Sequence, residues 1–494
     1  MADCIESPKF LESLRAAIAS ERSGQHDLAL CCVKDAEAYM PRTSHGAFLL
    51  GGVCEHCGLL DLAEHYYVLS LRNEASNPRG WHRLGLVRIA KDDFGKALAA
   101  LRYACALDDR NEHYKIDYSM GLARAGHFSD ALSAAVDALA ISPNNIIALN
   151  NAGHALQCLN RSYDALEYYD RALEIDPGHA ALRFGRATAL LKSGNYSAGW
   201  REYEWRWLDC QTLRTDIDVP VWEGEDLYGK TILIHHEQGY GDSLQFFRLL
   251  PQLAQKGARV IVQVPPPLVR LAQGVEGVFK AFPVLEKGTY FDVHCPLLSL
   301  PARLNYDPRQ KAAEAYLNTG ADQSNGCFEK VGRAMKVGLV WAGDPRPGDI
   351  KARQTDLRRS VSLEALAPLL ALPDMEFISF QMGQAAVQRQ KYANKISDGT
   401  KDIIDFFDTS VRLREIDILI AVDTSIAHLM AGMGRTVWLL SRFDACWRWG
   451  DAGDTTPWYS TMRIFRQSKP GSWQEPVHAM VQALGEFITL KAAV

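Results

Sequence analysis

The chain has no run of about 18 consecutive apolar residues, so the sequence offers no transmembrane segment. Its opening stretch, MADCIESPKFLESLRAAIAS, lacks the basic start and apolar core of a secretory signal, and a cytoplasmic location is the expectation. Positive charge is not in excess: 54 Lys and Arg stand against 59 Asp and Glu, for a formal charge of −5. No dense Lys/Arg block offsets this balance. Phosphate-driven affinity needs a basic face, so no nucleic-acid partner is expected. The 11 cysteines are odd in number and follow no framework spacing, which fits a reducing compartment better than a disulfide scaffold. The one CxxC, Cys54 and Cys57, has no second pair at zinc-finger spacing and reads as two free helix cysteines.

What is present in the first two hundred residues is a period. Ala29, Ala63, Ala97, Ala131, Ala165 and Gly199 stand 34 residues apart. Twelve positions upstream of each sits another small residue: Ala17, Gly51, Gly85, Ser119, Gly153 and Ala187. Seven positions downstream come Ala36, Ser70, Ala104, Ala138 and Ala172, with Arg206 breaking the series. Pro41, Pro143 and Pro177 close three of the units. Small residues at two helix crossings and a helix-stopping proline resemble the tetratricopeptide repeat, a helix-turn-helix unit. One unit cannot bury its apolar stripe, so six stacked units over residues 10–213 predict an α-solenoid with a concave surface for an extended polypeptide.

Beyond a tryptophan cluster at Trp200, Trp205 and Trp207, read as packing at a domain boundary, the pattern changes. TILIHH, RVIVQV, KVGLVWAG, EFISFQ, DILIAV and TVWLL are short apolar runs alternating with helical segments, the mark of parallel βα units. A Pro-rich, polar stretch at roughly 296–335 suits a boundary between two Rossmann-like lobes. The predicted architecture is therefore α + α/β, with lobes at 214–330 and 331–494. A ligand belongs at the carboxyl ends of their strands.

The first loop, HHEQGYGDSLQFF, begins like a dinucleotide fingerprint with Gly239 and Gly241, but Leu244 takes the third glycine position and no ribose-binding acid follows. It has no Walker GK[ST] either. What remains is a strand, a tight glycine turn and Asp242 at the start of a helix. Asp242 is either an N-cap for orphan amides or a general base at the cleft. In DILIAVDTSIAHLMAG, Asp423 ends a strand, Thr424 and Ser425 open a helix, and His428 lies one turn in. Such a helix start attracts a pyrophosphate, and the neighbouring acid can bind sugar hydroxyls. Between them, a long loop with Lys351, Arg353, Arg358 and Arg359, followed by a helix capped by Ser362, can neutralise a departing diphosphate. Asp216 and Asp218 form a DxD with no strand before it, so no metal site is read there.

EQGYGDSLQFFRLLP, FDVHCPLLSLP, VGLVWAGDP with RRSVSLEAL, VDTSIAHLMAG and WRWGDAGDTTPWYSTMRIFRQ resemble the heptosyltransferase-type glycosyltransferases of the GT-B fold. The closer resemblance is to bacterial proteins that fuse tetratricopeptide repeats to such a module, and it spans nearly the whole chain. A more distant likeness is to the O-linked N-acetylglucosamine transferases. Their groove carries an asparagine in each repeat, where this chain has Arg15, Leu49, Arg83, Asp117, Asn151 and Gly185. The resemblance implies that Asp242 is the catalytic base and that Asp423, Thr424, Ser425 and His428 bind the activated sugar and its phosphates. It implies a cationic role for Arg358 or Arg359. Gln238, Gly239, Gly241 and Trp341 are read as further residues of the acceptor or donor loops. The expected reaction is inverting, metal-independent transfer from a nucleotide-sugar co-substrate, with no cofactor and with lobe closure excluding water. The repeats imply an acceptor protein, such as a flagellin or another surface protein, held in their groove. Lipopolysaccharide or polysaccharide transfer is the alternative within the enzyme class, and a non-catalytic adaptor with a degenerate transferase module is the alternative outside it.

Overall fold

In a computed structural model of the chain, residues 7–209, 217–310, 314–317, 334–346 and 348–492 are described. Contacts divide the chain into two compact units, Met1–Leu156 with Glu167–Pro177, and Gln157–Leu166 with Gly178–Val494. The last helix pair, Ala180–Lys192 and Tyr196–Tyr203, groups with the second unit.

Helix pairing follows the sequence period. The second helix of each pair starts at His26, Leu60, Phe94, Phe128, Ser162 and Tyr196, always 34 residues on. The small residues sit where helices touch. A Cβ on Gly51 would meet the Tyr67 ring at 2.9 Å, one on Gly85 would meet Leu101 at 2.6 Å, and one on Gly153 would meet Tyr169 at 2.9 Å. Ser119 is small enough to bury its hydroxyl, which donates to the Ala131 carbonyl at 2.7 Å. A second period marks the turns: Gly24, Gly58, Asp92, Gly126, Asn160 and Gly194 all have positive φ. Each ends a first helix in the left-handed conformation that glycine adopts freely and Asp or Asn tolerates. In the first unit, Phe10, Leu14, Leu50, Tyr67 and Leu84 anchor the largest apolar cluster.

The second unit holds two parallel sheets. The first contains β1 (Thr231–His235), β2 (Arg259–Gln263), β3 (Val278–Phe282) and β4 (Val293–Pro296) in the order β3-β2-β1-β4. The second contains β5 (Met335–Val340), β6 (Met375–Ser379), β7 (Ile396–Asp398), β8 (Ile418–Val422), β9 (Val437–Ser441) and β10 (Met462–Arg466) in the order β10-β9-β8-β5-β6-β7. This is a doubly wound sheet whose order reverses between β5 and β8, the point at which such sheets take ligands at their strand ends. All six expected strands are present. The weaker β3, β4, β7 and β10 complete the sheets. β8 and β9 are buried along their whole length, as strands covered on both faces must be.

One apolar cluster runs through both sheets of this unit, from Ile232, Ile234 and Val260 to Leu419, Ala421 and Leu439. Trp200 lies within it, edge-on to Phe246, Trp447 and Trp458, with its indole N–H donating to the Tyr306 carbonyl at 3.0 Å. The packing role expected for this tryptophan is therefore the observed one. Among the described residues, no helix is long and apolar enough to cross a membrane.

Candidate functional site

The loop after β1 is fixed by buried polar bonds. Glu237, 5% exposed, accepts from Arg206 at 2.7 and 2.8 Å and from the Leu298 amide at 3.0 Å. His236 Nδ1 lies 2.6 Å from the Ser243 hydroxyl. The left-handed residue of the turn is Gln238, with φ of 63°, whereas Gly239 is extended at φ −91°. The tight glycine turn expected here is thus a glutamine turn, and the glycines serve another purpose. Gly239 precedes the helix Tyr240–Phe246, and its N–H donates to Asp242 Oδ2 at 2.9 Å. Asp242 sits at the third helical position and reaches back to satisfy the amide before the helix. The local capping role and the site position coexist. Its other oxygen accepts from Arg448, and the side chain remains about one-fifth exposed.

Gly241 explains how the two sheets approach. A Cβ there would lie 2.9 Å from His428 Cδ2 and 3.7 Å from the Ser425 Cα. The start of the helix after β1 therefore rests directly on the start of the helix Ser425–Gly432 after β8. A glycine is needed for that contact.

On the second sheet, β8 leads into Asp423 and Thr424. Thr424 is extended, at φ −138° and ψ 165°, and its hydroxyl turns to the Val422 carbonyl at 3.2 Å without capping the helix. The Ala427 amide donates to the Thr424 carbonyl at 3.1 Å, and the Ser425 and Ile426 amides ahead of it open the helix without a side-chain cap. His428 is buried and stacks on Trp449 at 5.5 Å. Its Nδ1 lies 2.8 Å from the Tyr459 hydroxyl and its Nε2 lies 3.7 Å from Asp423 Oδ1. Burial pulls the Asp423 carboxyl upward, but His428, the Trp449 indole and Arg359 together outweigh it and hold the carboxyl below its ordinary range. Asp423 stays ionised.

The arginines require correction. The segment expected as a basic loop is the helix Ile350–Arg359, begun by Asp349, whose carboxylate accepts from the Ala352 amide at 3.0 Å. Arg358 turns away to Asp444 at 3.1 Å, while Arg359 reaches the Asp423 carbonyl at 3.1 Å. Gly343 makes room for Arg359: a Cβ there would overlap its guanidinium. Of the two, Arg359 is thus the one that reaches the end of β8. The helix expected after Ser362 is a set of turns ending in the 3-10 segment Leu369–Ala371, although Ser362 Oγ does accept from the Ala365 amide at 3.2 Å. Trp341 is also corrected, being 0% exposed in the core behind β5. It lines no open crevice. Gln238 is exposed at the loop, with its amide 3.5 Å from the Tyr203 hydroxyl.

Sequence reasoning missed Arg448, Trp449 and Tyr459. All three lie in WRWGDAGDTTPWYST, a stretch that marked a resemblance without yielding roles. Burial works against the Arg448 charge, yet Asp242, Cys446, Tyr203 and Asp423 hold its pKa above the ordinary arginine value. Asp216 lies outside the described residues. Among the described residues, no group of three or more His, Cys, Asp or Glu stands where it can hold a metal ion.

Comparison with known proteins matches one of the repeats. Residues 146–179 match the tetratricopeptide repeat. Over 507 aligned residues the chain is 24% identical to protein FlbA of Caulobacter vibrioides, covering 95% of this chain and 83% of FlbA. It is 29% identical over 97 residues to the small glutamine-rich tetratricopeptide repeat-containing protein 2 of Mycosarcoma maydis, covering 20% and 28% of the two chains. Among solved structures, YrrB, a TPR protein with an unusual peptide-binding site, aligns at 22% identity and a TM-score of 0.30, over 34% of this chain and 88% of its own. MamA aligns at 20% identity and a TM-score of 0.31, over 34% and 92%. One tetratricopeptide repeat is thus matched at residues 146–179, within a helical repeat stretch followed by an α/β region, and the chain is similar to FlbA along nearly its whole length.

Proposed function

We propose that the α/β unit is a glycosyltransferase that moves a sugar from a nucleotide-sugar to an acceptor hydroxyl, with inversion and without a metal. One observation carries the reading: Gly241, beside Asp242, lies against His428 and Ser425, His428 stands 3.7 Å from Asp423, and the Arg448 charge acts on both Asp242 and Asp423. An ionised carboxylate offers about four acceptor directions, and two partners leave room for an incoming hydroxyl. Asp242 takes that proton as the acceptor oxygen bonds to the anomeric carbon and the bond to the donor phosphate breaks. The uncapped amides of the helix Ser425–Gly432 and the Arg359 guanidinium take up the charge growing on the leaving diphosphate. One cation and a set of amide donors thereby fill the role a metal plays elsewhere. Asp423 orients sugar hydroxyls beside His428.

Repeats of this kind bind peptides or proteins, which favours a protein acceptor such as a flagellin or another surface protein over a lipopolysaccharide or polysaccharide. The engagement of Asp242 by Arg448 favours a second reading, a non-catalytic adaptor in which this pair simply joins the sheets. Nucleotide release from a panel of UDP-, GDP- and ADP-sugars, with mass spectrometry of candidate acceptors, separates the two. The transferase reading expects turnover by the wild type and a loss of about 100-fold or more in Asp242→Ala, within the range general-base catalysis supplies. Equal turnover by both proteins refutes the base. No nucleotide binding to the wild type favours the adaptor.

A further inference from the structure

Asp242 is held by a guanidinium whose own position is set from elsewhere. Arg448 donates Nε to Gln245, one turn along the same helix as Asp242, and NH2 to Asp242 itself. NH1 meets Cys446 Sγ at 3.2 Å, and the guanidinium lies 4.1 Å over the Trp447 ring. The planar fork thus grips the helix Tyr240–Phe246 at two points, a geometry that an ammonium cannot reproduce.

The loop carrying Arg448 is stiffened from behind. Arg466 donates to the carbonyls of Trp449, Gly450, Ala452 and Gly453. Thr456 Oγ1 donates to the Arg448 carbonyl at 3.1 Å. At its far end Asp451 accepts from the Ser162 amide at 2.9 Å and the Ser162 hydroxyl at 2.8 Å, with Lys192 Nζ at 3.4 Å. Lys192 is itself buried and donates to the Gln157 carbonyl and to Asn160. Ser162, at the start of the repeat helix Ser162–Ile175, and Lys192, at the end of the repeat helix Ala180–Lys192, both lie in this same unit. One short loop therefore connects two repeat helices to the carboxylate at the crevice.

We propose that Arg448 is a positioning residue that sets the Asp242 carboxylate for the acceptor hydroxyl, and that Asp451 fixes Arg448 from the repeat helices. This rests on the glycosyltransferase reading above. It makes the 447–457 loop a mechanical link, through which the seating of those helices reaches the base, while Trp449 of the same loop stacks on His428.

Two measurements on the full chain test it. Hydrogen exchange needs no substrate: Arg448→Gln, and separately Asp451→Asn with Ser162→Ala, are expected to speed exchange in the peptide Gly239–Phe246 at least threefold while the melting transition stays cooperative. Unchanged exchange there in both variants overturns the proposal. Kinetics uses whichever UDP-, GDP- or ADP-sugar the wild type turns over. Arg448→Gln is expected to lower kcat about 100-fold with donor KM within threefold, and Arg448→Lys to recover less than a tenth of the loss. The Asp451→Asn/Ser162→Ala pair is expected to lower kcat about threefold to tenfold at constant donor KM. A rise in donor KM at unchanged kcat overturns the proposal, because it makes Arg448 a donor ligand. A wild type that turns over none of these sugars removes the underlying reading, while the exchange result still decides whether Arg448 places Asp242.

Discussion

Replacing Gly241 by alanine tests the contact between the two sheets most directly. The new Cβ would stand 2.9 Å from His428 Cδ2, against an ordinary carbon separation of about 3.5–4.0 Å. The imidazole cannot swing away freely, because it is 4% exposed, stacked on Trp449 and within 2.8 Å of the Tyr459 hydroxyl. Relief comes either from breaking the Tyr459 bond, at about 1 kcal/mol, or from shifting a packed helix, at about 1–3 kcal/mol. Helix propensity acts the other way, since alanine is better than glycine by about 1 kcal/mol within a helix. The steric cost at least cancels this gain, and a net destabilisation of about 0–2 kcal/mol follows from these terms. Gly239→Ala is the internal control: its Cβ would meet only Asp242 Oδ2 at 3.1 Å and Arg346 at 3.7 Å. Urea unfolding of both variants, with nucleotide release beside it, is the assay. Gly241→Ala is expected to be the less stable and to lose most turnover. A Gly241→Ala protein more stable than wild type, as propensity alone demands, refutes the close approach and the site built upon it.

Arg359→Ala should weaken UDP or GDP binding about 10- to 100-fold by calorimetry, the worth of one charge-assisted hydrogen bond, whereas Arg358→Ala, which leaves Asp444 paired with Arg442, should change it less than threefold. His235 is buried against His294, and burial first, then the neighbouring charges, lowers its pKa from 6.5 to about 4. A depressed value means that the unfolded chain takes up the proton first, so stability from this group is complete above pH 6.5 and falls as the pH drops towards 4. The full loss is about 3 kcal/mol at 1.36 kcal/mol per unit, and His235→Gln should remove that share of the slope in unfolding curves taken at pH 7.5 and pH 4.5. Arg206→Met leaves the Glu237 carboxylate buried without its partner and should cost about 3–5 kcal/mol in thermal unfolding, with Glu237→Leu added to it recovering most of the loss.

The repeats were legible because their physics is periodic: a helix crossing at the same depth in each unit admits only Ala, Gly or Ser. The left-handed turn at Gly24, Gly58 and their successors keeps the same period but was not read from the sequence, because Asp92 and Asn160 break the run of glycines. The buried strands β8 and β9 announce themselves as continuous apolar runs, whereas β3, with Phe279 and Lys280 exposed, and the three-residue β7 carry no such signal. Asp423, Thr424 and His428 could be found together because one strand and one helix turn bring them into reach. Arg448 could not, since 206 residues separate it from Asp242 and no local pattern distinguishes an arginine that grips a distant carboxylate from one that faces solvent. The same blindness explains the assignment of Arg358 beside Arg359. Adjacent residues on a helix point about 100° apart, so a helix in place of a loop sends one guanidinium to Asp423 and the other to Asp444. Sequence therefore located the acids that strand ends present, and the cations that answer them had to be found in three dimensions. Gly241 stands between these cases: its sequence signal is a missing side chain, and only the imidazole lying against it shows why one cannot be there.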